Sequence, residues 1–193
     1  MIHIVDFGSS KTQAISDIVK EFGYENQILK WNSCSEKDFQ KSSGIILSGA
    51  PVLLTKVDYS SYIEKFKFLK NVSIPVLGIC FGHQLIGILF GATVFMGKEI
   101  RNEVRIKVLK RDSIFNELPE NFIMKEDHTE GIDLPKRFVY LACSDDYEVE
   151  AMKHQSKNIY GIQFHPEVSD NNGKTIMENF LALTFKKQLD FNQ

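Results

Sequence analysis

Cysteine is scarce: Cys34, Cys80 and Cys143 are three in 193 residues, an odd number without the paired spacing of a zinc site or the density of a disulfide framework. That usage fits a reducing, cytoplasmic compartment. An excess of charge of either sign is also missing, with 23 Lys and Arg against 25 Asp and Glu and a net charge of -2. The lysines are scattered, so no nucleic-acid footprint is present. No apolar run approaches the length of a bilayer span, which argues against a membrane protein. The N-terminus, Met1 to Gly8, enters a strand-like run directly and lacks the basic region and apolar core of a signal peptide. A Gly-rich phosphate loop, an internal repeat, a low-complexity tract and a linker are absent as well.

What remains is an ordinary globular composition, 43% hydrophobic and 25% charged. A chain of 193 residues suffices for one sizeable core and is short for two, so 1–193 is expected to be a single domain. Ile2 to Asp6 reads as a strand ending in a turn signal, and Thr12 to Phe22 as a helix with Ile15, Ile18, Val19 and Phe22 on one face. Gln27 to Trp31 is a candidate second strand, Ser35 to Lys41 a short polar helix and Gly44 to Leu47 a central strand. Tyr59 to Lys70 carries Tyr62, Ile63, Phe66 and Leu69 at helical spacing. Strands alternating with helices predict a doubly wound, mostly parallel sheet, with its sites at the carboxyl ends of the strands. After Gly91 the texture changes. Ala92 to Phe95, Glu103 to Leu109, Phe122 to Lys125, Phe138 to Ala142, Val149 to Lys153 and Ile159 to Phe164 read as short strands of an antiparallel or mixed extension. Gly173 to Lys187 closes the chain as a helix with Ile176, Phe180, Leu183 and Thr184 inward.

The run Ile74 to Gly87 organises the rest. An apolar strand opened by Pro75 breaks after Gly78 into a turn carrying Cys80, followed by a helix to Phe90. Gly78-x-Cys80-x-Gly82 has the form of a nucleophile elbow, with the thiol facing the positive end of a helix, which favours thiolate. A buried cysteine acting as a small hydrophobe gives the same pattern, and both readings stand on this motif alone. The second informative run is Ile159 to Val168. On an extended segment residues two apart share a side, which puts Glu167 behind the His165 ring. A base oriented by an acid is what a thiol nucleophile needs; a sheet-edge histidine beside a solvated glutamate is the alternative.

Together these motifs resemble the class I glutamine amidotransferases with a Cys-His-Glu triad, whose defining signatures are Gly-x-Cys-x-Gly and Phe-His-Pro-Glu. The resemblance covers nearly the whole chain. Asp6-Phe7-Gly8-Ser9 with Thr12-Gln13, Gly44 to Gly49, Pro75 to Cys80 and Tyr160 to Val168 are most similar to the amidotransferase part of GMP synthetases. The resemblance implies a mixed, flavodoxin-like sheet flanked by helices, and hydrolysis of the glutamine side-chain amide through a γ-glutamyl thioester on Cys80. His165 and Glu167 complete the implied catalytic set. The oxyanion would meet the backbone N–H of Phe81, by elbow geometry, and that of Ala50, by similarity to a Gly-Gly-Pro loop. Alanine stands where the family has a second glycine, and a positive φ there would strain it. Gln84 matches a glutamine that contacts substrate. Asp127-His128-Thr129-Glu130 resembles a Ser-His-Gly-Asp stretch, with Glu130 in the place of the acid that takes the substrate ammonium; an exposed acidic loop has the same composition. His83 is expected to pack, and His3 and His154 to serve core or turn roles. No cofactor or metal is implied for this chain. ATP and magnesium belong to a separate ATP-pyrophosphatase synthetase subunit, which would use the ammonia to convert XMP to GMP. A free-standing enzyme acting on another amide, or a non-catalytic module of the same fold, are the alternatives.

Overall fold

The computed structural model describes residues 1–190, with side chains through Thr184. Its strands are β1 (Ile2–Asp6), β2 (Asn26–Lys30), β3 (Gly44–Leu47), β4 (Val76–Ile79), β5 (Val94–Ile100), β6 (Glu103–Val108), β7 (Asn121–Lys125), β8 (His128–Ile132), β9 (Phe138–Cys143), β10 (Ala151–His154) and β11 (Ile159–Ile162). The helices are α1 (Thr12–Glu21), α2 (Ser60–Phe66), α3 (Phe81–Leu89) and α4 (Asp170–Asp190). Nine strands form one sheet in the order β2-β1-β3-β4-β11-β10-β9-β6-β7. The first five run parallel, and β10, β9, β6 and β7 extend them antiparallel. Among the described residues no helix is long and apolar enough to cross a membrane.

The parallel half is covered on both faces, and its sequence alternates accordingly. Ile4, Ile46, Leu77, Ile79, Tyr160 and Ile162 pack with Ile15, Val19, Ile176 and Phe180 of α1 and α4. Their neighbours Val5, Ile45, Leu47, Val76 and Ile159 point the other way, onto Phe66, Leu69, Phe81, Leu85 and Leu89. Period-two alternation with both sets apolar is the mark of a strand buried on both sides.

Three segments differ from the sequence expectation. The helix expected over Tyr59 to Lys70 is α2 followed by a separate 3-10 turn, Lys67–Lys70. The segment from Ala92 does not join the main sheet. It is β5, and it pairs antiparallel with β8, a strand where the sequence suggested only a loop. The reason lies in Tyr147, whose ring occupies the space that side chains would take on this ribbon. A Cβ on Gly97 would stand 2.4 Å from its hydroxyl and one on Gly131 2.7 Å from its ring. Finally, Glu167 lies in a 3-10 turn, Pro166–Val168, rather than on an extended segment.

Candidate active site

The three neighbouring parallel strands β3, β4 and β11 each deliver one part of the site at or beyond their carboxyl ends: Gly49 and Ala50, Cys80, and His165. This is the edge at which an open α/β sheet holds its ligands.

Cys80 links β4 to α3 with φ 52 and ψ -106, a conformation that costs a non-glycine residue roughly 1–3 kcal/mol. Its N–H donates to the Ile162 carbonyl at 2.9 Å, and the Gly82 N–H to that of Ser48 at 3.2 Å. The flanking glycines serve close approach rather than a special φ. A Cβ on Gly78 would lie 2.4 Å from the Gly82 carbonyl oxygen, and one on Gly82 2.5 Å from that of Leu47. The turn is therefore packed so tightly that only the cysteine carries the strain.

His165 and Glu167 meet despite the turn between them. Nδ1 lies 2.7 Å from Glu167 Oε1, and both side chains are almost wholly buried. Nε2 has no other hydrogen-bond partner and interacts with Cys80. Burial opposes a charged ring, but hydrogen bonds to Cys80 and Glu167, and the charges of both, outweigh it and push the His165 pKa up to about 10. At neutral pH the imidazole therefore carries the proton. The His165 N–H donates to the Lys125 carbonyl at 2.9 Å, and the Ser169 hydroxyl donates to the His165 carbonyl at 2.6 Å.

Gly49 separates the thiol from the imidazole. A Cβ there would be 3.2 Å from His165 Cε1 and 3.7 Å from Cys80 Cβ. Ala50 follows without a positive φ, so the alanine carries none of the strain considered from the sequence. The Phe81 N–H belongs to the first turn of α3, where amides lack helical acceptors.

These residues open into a cavity of 490 Å³ whose walls include Ala50, Cys80, Gln84, Asp127, Glu130 and His165. Gln84 Nε2 donates to the Glu130 carbonyl at 3.0 Å and to Gln163 Oε1 at 3.1 Å, which leaves Oε1 as the part available to a ligand. Asp127 places its carbonyl 3.9 Å from Cys80 Sγ and its carboxylate between Lys11, at 2.7 Å, and Arg101. The charges of Lys11 and Arg101, with the Lys11 hydrogen bond, outweigh partial burial and lower its pKa. Glu130 differs from its expected use. Its buried carboxylate accepts the N–H groups of Leu54 and Thr55, at 2.7 Å each, and so pins the loop that follows Ala50. His128 is buried and contacts Glu126. His83 is fully buried behind the elbow, and burial pushes its pKa down to about 3. Lys11 and Arg101, which also line the cavity, carried no sequence signal, because each meets Asp127 only across the fold.

A thiol raised on a strand-to-helix elbow and faced by an imidazole-carboxylate pair is equipped for acyl transfer from an amide. The profile of glutamine amidotransferase class-I matches residues 3–183, and the chain belongs to that family. Within it, the glutamine-hydrolyzing subunit of the GMP synthase of Pyrococcus abyssi is 37% identical over 188 residues, covering 95% of this chain and 98% of that protein. The crystal structure of a protein assigned as the corresponding GMP synthase subunit from Thermoplasma acidophilum superposes with a TM-score of 0.91 at 26% identity, covering 100% of this chain and 97% of that one. The glutamine-hydrolyzing GMP synthase of Thermosipho melanesiensis is 31% identical over 188 residues, which are 96% of this chain and 36% of that longer protein.

Proposed function

We propose that this amidotransferase is the glutamine-hydrolysing subunit of a two-subunit GMP synthase, with Cys80 as nucleophile. The observation that carries the assignment is the convergence of Cys80, His165 and Gly49 at adjacent strand ends, with Glu167 holding the far side of the ring. Cys80 sulfur attacks the side-chain carbonyl carbon of glutamine, and the oxyanion that forms meets the N–H groups of Ala50 and Phe81. As the tetrahedral adduct collapses, the C–N bond breaks and protonated His165 gives its proton to the departing nitrogen, releasing ammonia. A γ-glutamyl thioester remains. The now neutral imidazole takes a proton from water, hydroxide adds to the thioester carbonyl, and the C–S bond breaks to give glutamate and free Cys80. Gln84 and the 127–130 segment hold the amino-acid end of the substrate.

The ammonia passes to an ATP-pyrophosphatase synthetase subunit that binds ATP and magnesium and converts XMP to GMP. The relative of Thermosipho melanesiensis, in which the matching part is 36% of a longer chain, supports a synthetase that is a separate polypeptide here. Free thiols at Cys34, Cys80 and Cys143 support a reducing, cytoplasmic setting. A glutamine-mimicking electrophile is expected to alkylate Cys80 with protection by glutamine, and to leave Cys80→Ala unlabelled. Peptide mapping that places the label on Cys34 or Cys143 would overturn the assignment.

A further inference from the structure

The 126–130 segment carries a second polar cluster that the reaction above does not use. Glu126, His128 and Glu150 are all buried, and one ligand-type atom from each lies within 4.8 Å of the others. His128 Nδ1 is 2.9 Å from the Glu130 carbonyl oxygen, which only accepts, so Nδ1 carries a hydrogen. Nε2 is 2.6 Å from Glu126 Oε2, and one proton lies between them. Glu150 Oε1 accepts the Ser144 hydroxyl at 2.6 Å. That leaves Glu126 Oε1 and Glu150 Oε2, both buried and neither bonded to any other group.

The surroundings supply no compensating cation. Among the described residues neither glutamate pairs with a lysine or arginine. The Tyr147 hydroxyl, packed against the His128 ring, is directed at the carbonyls of Lys98 and Thr129, at 2.6 and 3.1 Å. Asp146 is paired with Lys98, Glu130 holds the loop amides, and His83 is buried and uncharged. Two bare carboxylates in so dry a site repel strongly, so a proton must stand between them. The direction of the titrations agrees: burial and the charge of Glu126 hold the Glu150 carboxyl well above the usual range, and burial with the nearby carboxylates pushes Tyr147 to about 12. A divalent cation is the other way to neutralise such a trio. Yet ligands about 2.0–2.1 Å from a tetrahedral metal stand about 3.3 Å apart, whereas the Nε2···Oε2 contact of 2.6 Å is closed around a proton.

The cluster is wired to the cavity. The Glu130 carbonyl that receives His128 Nδ1–H also receives Gln84 Nε2–H, and the same residue's carboxylate pins Leu54 and Thr55. We propose that Glu126 and Glu150 share one proton and that this proton, acting through His128, holds the 127–130 segment in its glutamine-binding position. Glu126, His128 and Glu150 are positioning residues in this scheme, which rests on the glutamine reading of the cavity. When rising pH removes the proton, the two carboxylates part, His128 loses its grip on the Glu130 carbonyl, and Gln84 loses its support.

The test uses the full chain, a saturable glutamine-analogue chloromethyl ketone and, as a probe that needs no amino-acid recognition, iodoacetamide. In the wild type the apparent affinity for the chloroketone is expected to weaken about tenfold on the alkaline side, the equivalent of one lost hydrogen bond, while the maximal alkylation rate changes little. Glu150→Gln keeps a neutral donor beside Glu126 and is expected to abolish that pH dependence without weakening affinity at neutral pH. Infrared difference spectra should show a protonated carboxyl at neutral pH in the wild type that is absent from Glu150→Gln. An unchanged pH profile in Glu150→Gln, the lack of a protonated carboxyl in the wild type, or one equivalent of divalent metal in the purified protein would each overturn the proposal. Alkylation of the wild type that neither saturates nor is blocked by glutamine would instead sink the glutamine reading, and the infrared result would still decide the proton pair.

Discussion

At Gly49 the room between nucleophile and base is so small that a methyl group would press on both, at 3.2 Å from the His165 ring and 3.7 Å from Cys80 Cβ. The backbone there needs no positive φ, so alanine is tolerable as a conformation and objectionable only as a volume. Gly49→Ala is therefore expected to lower kcat by about tenfold or more through misplacement of the imidazole, with little change in Tm. A Tm loss as large as that of a core mutation, with kcat intact, would contradict this. His165 gives a second prediction at the same scale. Its pKa is raised from 6.5 to about 10, so the protonated ring stabilises the fold fully below pH 6.5, and that contribution fades as pH rises towards about 10. Above it the neutral imidazole has no proton for the leaving nitrogen. Glutamate release is expected to fall through an alkaline limb centred near pH 10, and a limb that survives in Glu150→Gln separates His165 from the buried carboxyl pair.

The elbow is the element on which the site depends, and its glycines are a matter of distance. Because a Cβ on Gly82 would stand 2.5 Å from the Leu47 carbonyl oxygen and 2.7 Å from Leu47 Cβ, α3 cannot keep its seat on β3 with any larger residue there. Gly82→Ala is expected to destabilise the protein by about 2–4 kcal/mol, read as a lower urea midpoint with an unchanged slope. An effect within about 0.5 kcal/mol, the range of ordinary surface changes, would show that the packing is looser than described. Elements of this kind were legible in the sequence because their cause is local: apolar β4, glycines two apart, then an apolar helix. The strand β8 was not legible, since His128, Thr129, Glu130 and Gly131 have the composition of a loop. What makes them a strand is β5 on one edge and the Tyr147 ring beneath, both distant in sequence. The Pro166–Val168 turn was hidden for the same reason. The proximity of His165 and Glu167 was expected, but from an extended segment, whereas the Ser169 hydroxyl and the Lys125 carbonyl hold them in a turn.

At the scale of the whole molecule, five parallel strands give the chain its catalytic edge and four antiparallel strands carry the segments that wall the cavity. The parallel half followed from alternating strands and helices. The division of the remainder into four sheet strands and a separate β5–β8 ribbon did not, because period-two runs report burial and not partners. Long-range polar contacts were equally silent. Lys11 and Arg101 clamp Asp127 at the mouth of the cavity, and Glu126 meets Glu150 beneath it, with nothing local to announce either meeting. The partner subunit follows from the site, since ammonia made at Cys80 needs an acceptor that this chain does not activate. The most direct measurement is GMP synthesis from XMP and ATP by this chain mixed with its ATP-pyrophosphatase subunit, supplied either with glutamine or with an ammonium salt. Cys80→Ala is predicted to abolish synthesis from glutamine and to leave synthesis from ammonium intact; glutamine-dependent synthesis that survives the substitution would contradict the account.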